Sequence, residues 1–204
     1  MKPYSVSVKT AASAEPLTLT ETKLHLKVDH EDDDALISAL IAGAREWSEN
    51  YCRRSWVRRT LELRLDCFPA EILLPRGPVS SVTSVAYTDS GGSAATVDTG
   101  DYQTDLYGVV PRVMTNLGVS WPVTKPGAMN AVVVEYVAGY APGTGSPTDY
   151  AENVPAAAKA AMKLLIGGWY ENRQHIQAQA LVKVPMAVEA LLASLVIRDF
   201  RLES

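Results

Sequence analysis

The run Leu36-Ile37-Ser38-Ala39-Leu40-Ile41-Ala42-Gly43-Ala44-Arg45-Glu46-Trp47-Ser48-Glu49-Asn50-Tyr51-Cys52 is followed by Arg53-Arg54-Ser55-Trp56-Val57-Arg58-Arg59-Thr60 and then by Leu61-Glu62-Leu63-Arg64-Leu65-Asp66. Across it the apolar period changes. Leu36, Ile37, Leu40, Ile41, Ala44, Trp47 and Tyr51 recur at three- and four-residue steps, which predicts a helix to about Cys52. Leu61, Leu63 and Leu65 alternate with Glu62, Arg64 and Asp66, which predicts a strand with one wet face. A helical body therefore meets a β-rich module near Trp56.

Upstream, the acidic run Glu31-Asp32-Asp33-Asp34 suits the start of the long helix, because carboxylates are favoured by the partial positive charge of the first-turn amides. Before it, Thr18-Leu19-Thr20-Glu21 fits a capping box and predicts a short helix ending near Asp29. Residues 1–16 are rich in Ser, Ala and Thr and read as a flexible N-terminal arm.

Downstream, ten of the 13 glycines and eight of the 12 prolines fall between Pro69 and Pro147, so helices are not expected there. Short β-rich runs, Val79 to Tyr87 and Val132 to Val137, flank a turn signal at Ser90-Gly91-Gly92-Ser93. Helical spacing returns after Pro155, with Ala158, Met162, Leu165, Ile166 and Trp169 on one side, and again from Pro185, with Val188, Leu191, Leu192, Leu195 and Val196. The fold class expected is α+β: a mainly antiparallel helical body of about four helices (17–55 and 154–204), interrupted by an inserted antiparallel β module (56–147), with 148–153 as a linker.

With 204 residues, 47% hydrophobic and 21% charged, the chain has the profile of an ordinary folded protein. A net charge of −4 excludes a global basic field for gripping nucleic acid or an anionic membrane. Charges interrupt every apolar run before it reaches the roughly 20 residues of a membrane helix, and the start has no apolar signal segment. Cys52 and Cys67 offer no zinc spacing, and His25, His30 and His175 form no metal or catalytic pair. No phosphate loop, nucleophile elbow or calcium loop is present, so no cofactor and no metal are expected, and the chain is not read as an enzyme.

Two stretches are read as interfaces. The basic, aromatic-interleaved Arg53 to Arg59 offers Arg53, Arg54, Arg58 and Arg59 to phosphates or to an acidic partner such as the Asp32, Asp33 helix start of another subunit. At the end of the third helix, Tyr170 and Arg173 point away from the face that buries Trp169.

Leu19 to Asp29 followed by Asp32 to Arg45, and then Pro155 to Leu165, Trp169 to Arg173 and Val184 to Leu192, resemble in order the helices of the head-tail connector (adaptor) proteins of long-tailed bacteriophages. The resemblance covers roughly the first 55 and last 50 residues; the middle looks similar to the inserted β module of the family's long form. It implies a dodecameric ring of identical subunits under the portal protein, with stopper or tail-terminator proteins on the other side and genomic DNA passing through without specific binding. It places the protein in the virion at the head-tail interface, made in the bacterial host cytoplasm, with no membrane partner. By the same resemblance Leu191, Leu192, Arg198 and Phe200 are portal-contact candidates. Two other readings remain open from the residues: a packaging factor contacting DNA or the terminase through Arg53 to Arg59, and an enzyme assembled without a motif around His25 or His175.

Overall fold

The computed structural model describes residues 4–141, 153–172 and 186–198. The order of elements is β1 (Tyr4–Thr10), α1 (Leu19–Leu26), α2 (Asp34–Cys52), β2 (Arg59–Leu65), β3 (Glu71–Leu73), β4 (Val79–Thr88), β5 (Ala94–Thr96), β6 (Tyr102–Asp105), β7 (Arg112–Thr115), β8 (Val132–Ala138), α3 (Ala156–Glu171) and α4 (Met186–Ala193). The fold is α+β, with two antiparallel sheets and four helices among the described residues. The chain divides into a β unit (1–12, 58–139, 197–204) and a helical unit (13–57, 140–196).

In the β unit, the five-stranded sheet has the order β1-β2-β8-β4-β5 and the smaller one β3-β7-β6. The alternation read at Leu61, Leu63 and Leu65 holds: each is buried, facing one core with Val132, Val134, Tyr136, Ile72 and Val113. Burying each leucine contributes roughly 1.5–3 kcal/mol. Tyr136 donates its hydroxyl to the Pro75 carbonyl at 2.8 Å, and its burial pushes the phenol well above its usual range. The turn at Ser90 to Ser93 joins β4 to β5, with Gly92 at φ 91° and the Asp89 carboxylate accepting from Ser93 N at 2.9 Å.

In the helical unit, Thr18 caps α1 by accepting from Glu21 N at 3.1 Å. Half of the expected box forms: the Glu21 carboxylate accepts from Lys163 Nζ at 2.6 Å rather than turning back. α1 stops at Leu26, three residues before the expected end, and α2 ends at Cys52 as the spacing predicts. Both helices close on a left-handed residue, Lys27 at φ 58° and Arg53 at φ 55°, whose backbone N–H groups reach back to the last turn. α3 buries Ala158, Ala161, Met162, Leu165 and Ile166. Trp169, expected in the core, is half-buried; its Cζ3 sits 3.7 Å from where a Cβ on Gly43 would lie.

Residues 4–10 of the expected arm form a strand. Tyr4, Val6 and Val8 alternate with Ser5, Ser7 and Lys9, and β1 pairs antiparallel with β2 from Tyr4 opposite Leu65 to Val8 opposite Leu61. Trp56 and Val57 group with the helical unit, and Ile197 with the β unit, where it is buried with Leu73 and Val110. Of the expected linker, 148–152 lies outside the described residues.

Candidate functional site

The sequence-derived candidates separate by exposure. Asp32 is almost fully exposed, its carboxylate 3.9 Å from His30 Nδ1. Asp33, next to it, is half-buried and accepts from the hydroxyl of Tyr170, so two residues read as separate interface candidates are bonded to each other inside the helical unit. Asp34 pairs with Lys23 at 2.6 Å. Two acids of the run, Asp33 and Asp34, thus fix α3 and α1 against the start of α2, while Glu31 and Asp32 stay exposed. Arg173 lies outside the described residues.

The arginine stretch divides in the same way. Arg53 and Arg58 are exposed. Arg54 is half-buried and donates Nε–H to the Leu195 carbonyl at 2.6 Å, binding the chain just after α4. Arg59 is half-buried at the start of β2, with Nε and Nη2 shielded from solvent. Two of the four side chains therefore face outward, a small electrostatic footprint for a phosphate backbone.

Of the portal-contact candidates, Leu192 is fully buried and its carbonyl faces Cys52 Sγ at 3.9 Å, Leu191 is half-buried, and Arg198 is exposed. Phe200 lies outside the described residues. Burial pushes the Cys52 thiol up to about 11, against the opposing pull of the Arg54 charge.

Sequence reasoning missed a polar network at the C-terminal end of α2. Arg45 Nε donates to Glu15 at 2.8 Å and Nη1 to Glu49 at 3.2 Å. Burial works against the Arg45 charge, and the hydrogen bond and charge of Glu15, with Glu49, outweigh it and hold its pKa above the ordinary arginine value. Glu49, 1% exposed, accepts from Trp56 N at 2.7 Å, while Trp56 Nε1 donates to Ser48 Oγ at 2.8 Å. The signal available in the sequence was the i, i+4 spacing of Arg45 and Glu49.

Among the described residues, no three His, Cys, Asp or Glu side chains are placed to hold a metal ion, and no helix is long and apolar enough to cross a membrane.

Residues 16–107, from the approach to α1 through β6, match the family described as Phage gp6-like head-tail connector protein. No curated protein matches the chain. Solved structures do. A chain from the "Neck of empty GTA particle computed with C6 symmetry" is 22% identical at a TM-score of 0.75, with 96% of this chain and 97% of that one covered. One from the "Virion of native gene transfer agent (GTA) particle" is 24% identical at 0.75, with 95% and 96% covered. One from the "Neck of native GTA particle computed with C12 symmetry" is 25% identical at 0.71, with 96% and 97% covered. Within residues 16–107 the family match bears out the resemblance to head-tail connectors read from the sequence; the C-terminal stretches that also carried it, from Pro155 onward, lie outside that match, while the likeness in fold extends over nearly the whole chain.

Proposed function

We propose that this chain, which carries the head-tail connector pattern over residues 16–107, is a structural protein of a virion neck and has no catalytic role. It forms a ring, docks beneath the portal protein after DNA packaging, and links the head to stopper or tail-terminator proteins at the head-tail interface. The observation that carries the reading is the coincidence of that family match with a fold shared over 95–96% of the chain with proteins of gene transfer agent particles, two of them described as necks computed with six-fold or twelve-fold symmetry.

Physical chemistry supports it. A conduit must let DNA pass, and a chain of net charge −4, with few outward arginines among the described residues, avoids the many phosphate contacts that would retard it. A ring needs contacts between unlike faces of neighbouring copies. Exposed Arg53 and Arg58 on one copy, and exposed Asp32 with Asp29 and Glu31 on the next, supply complementary charge for such a contact. On the portal side, Leu191 and Arg198 are the candidates with exposed surface; Leu192 reaches a partner only if the end of α4 leaves its packing.

Deleting the gene in the source particle and scoring heads, tails and joined particles by electron microscopy tests the proposal. Filled heads beside unattached tails, or heads that leaked packaged DNA, are expected. Empty proheads would move the function to packaging, and normal infectious particles would overturn it.

A further inference from the structure

The chain passes between its two units four times, at 12/13, 57/58, 139/140 and 196/197. On the helical-unit side, all four passages are tied to one short stretch, the C-terminal end of α2 and its cap. The first is held through Glu15, which accepts from Arg45 Nε at 2.8 Å. The second is held at Trp56, whose backbone N–H donates to Glu49 at 2.7 Å and whose indole N–H donates to Ser48 at 2.8 Å.

The third passage is held by Trp56 in turn. Its carbonyl accepts from Tyr140 N at 3.3 Å, its ring stacks on the Tyr140 ring with centroids 6.4 Å apart, and Val57 pairs with Tyr140 as a parallel bridge. The fourth is held by Arg54 Nε on the Leu195 carbonyl at 2.6 Å, beside Cys52 Sγ at 3.9 Å from the Leu192 carbonyl. Arg54 is itself fixed by its backbone N–H on the Glu49 carbonyl at 3.0 Å.

We infer that the C-terminal end of α2 is a coupling hub that orders the four passages as one group, with Arg45, Glu49, Arg54 and Trp56 as its positioning residues. The physical reason is burial. The Arg45 and Glu49 side chains are 10% and 2% exposed, and Trp56 is fully buried. Inside such a site a polar group that loses its partner is left without water to replace it, so the network holds or loosens jointly rather than bond by bond. Glu49 is central because its carboxylate joins Arg45 to Trp56 while its carbonyl anchors Arg54. Loosening of the chain at Leu195 is carried within the helical unit through Arg54 to Glu49, and from Glu49 to Trp56 and Tyr140. The hub belongs to the chain itself and stands apart from the ring proposed above.

Hydrogen exchange of the full chain, followed by mass spectrometry, tests this with E49Q and R54M. In E49Q, exchange is expected to rise at least tenfold at residues 14–17, 56–57, 140–141 and 194–196 together, with the centres of β2 and β8 at Leu63 and Val134 unchanged. In R54M the rise is expected at 56–57 and 140–141 as well as at 194–196. A rise confined to the segment whose own bond was removed would overturn the hub. If E49Q shows no cooperative melt, R54M, whose side chain is only half-buried, decides by the same two results.

Discussion

The hydroxyl of Tyr170, on the last turn of α3, is bonded to the carboxylate of Asp33, the cap residue of α2. A hydrogen bond to a charged acceptor contributes about 1.5–3 kcal/mol, and partial exposure places this one at the lower end. Y170F is expected to lower the denaturant midpoint by an amount equivalent to about 1.5 kcal/mol. Assembly measured well below the melting temperature should be unchanged. Loss of assembly at an unaltered midpoint would return Tyr170 to the interface.

Charge reversal separates the two arginines flanking the start of β2. Arg58 is exposed, so R58E should leave the thermal melt in place and weaken self-association, as read by sedimentation. Arg59 is half-buried with shielded nitrogens, so R59E should destabilise the fold by on the order of 3 kcal/mol before any effect on assembly can be read. Unchanged association of R58E at low salt removes the complementary-charge contact between copies.

The long helix was legible because its apolar residues repeat at helical steps over five turns, yet its inward face was not. Ile37, Ile41, Ala44, Ser48 and Cys52 turn inward, leaving Leu36, Trp47 and Tyr51 on a flank. Choosing between two stripes one residue apart depends on what packs against them, which periodicity does not contain. β1 escaped notice although Tyr4, Val6 and Val8 alternate with polar residues, because the partner that makes the alternation meaningful, β2, lies some fifty residues away. The i, i+4 spacing of Arg45 and Glu49 marks a pair but not its burial, for a related reason: an acid in a helix reads as solvated until a buried Trp56 amide is placed beside it.

Left-handed caps give a second route to the interface. Lys27 and Arg53 adopt φ near 57° without being glycine. A side chain in that conformation costs about 1–2 kcal/mol, part of which glycine returns as chain entropy in the unfolded state. K27G is expected to stabilise by roughly 0.5–1 kcal/mol. R53G relieves the same backbone cost while removing an outward charge, so weaker assembly at a melting temperature no lower than that of the unchanged chain would isolate the role of the charge.

Lys9 on β1 reaches across the sheet to Glu135 at 2.6 Å and Glu62 at 3.8 Å, two acids that sit directly opposite each other on β8 and β2. Its hydrogen bond to Glu135 raises its pKa above 10.5, so what the contact contributes is present below that pH and is lost as pH rises through the raised value. K9M leaves facing like charges. Its melting temperature should fall at low ionic strength and recover with added salt, and E135Q in the same chain should abolish the salt effect.

Cys52 provides the last test, since its neighbours are the hub and the end of α4. With the thiol raised to about 11 by burial, its folded pKa stands above the 9.0 of the unfolded chain. The neutral thiol's contribution is therefore whole below pH 9 and fades as pH climbs toward 11. At pH 8 roughly one thiol in a thousand is ionised, and the sulfur is also covered. Iodoacetamide should label half-buried Cys67 first and reach Cys52 only at the rate of local opening. R54M, which frees Leu195, should speed labelling of Cys52 without changing Cys67; equal rates for the two thiols in the native protein would contradict the packing of Cys52 against Leu192.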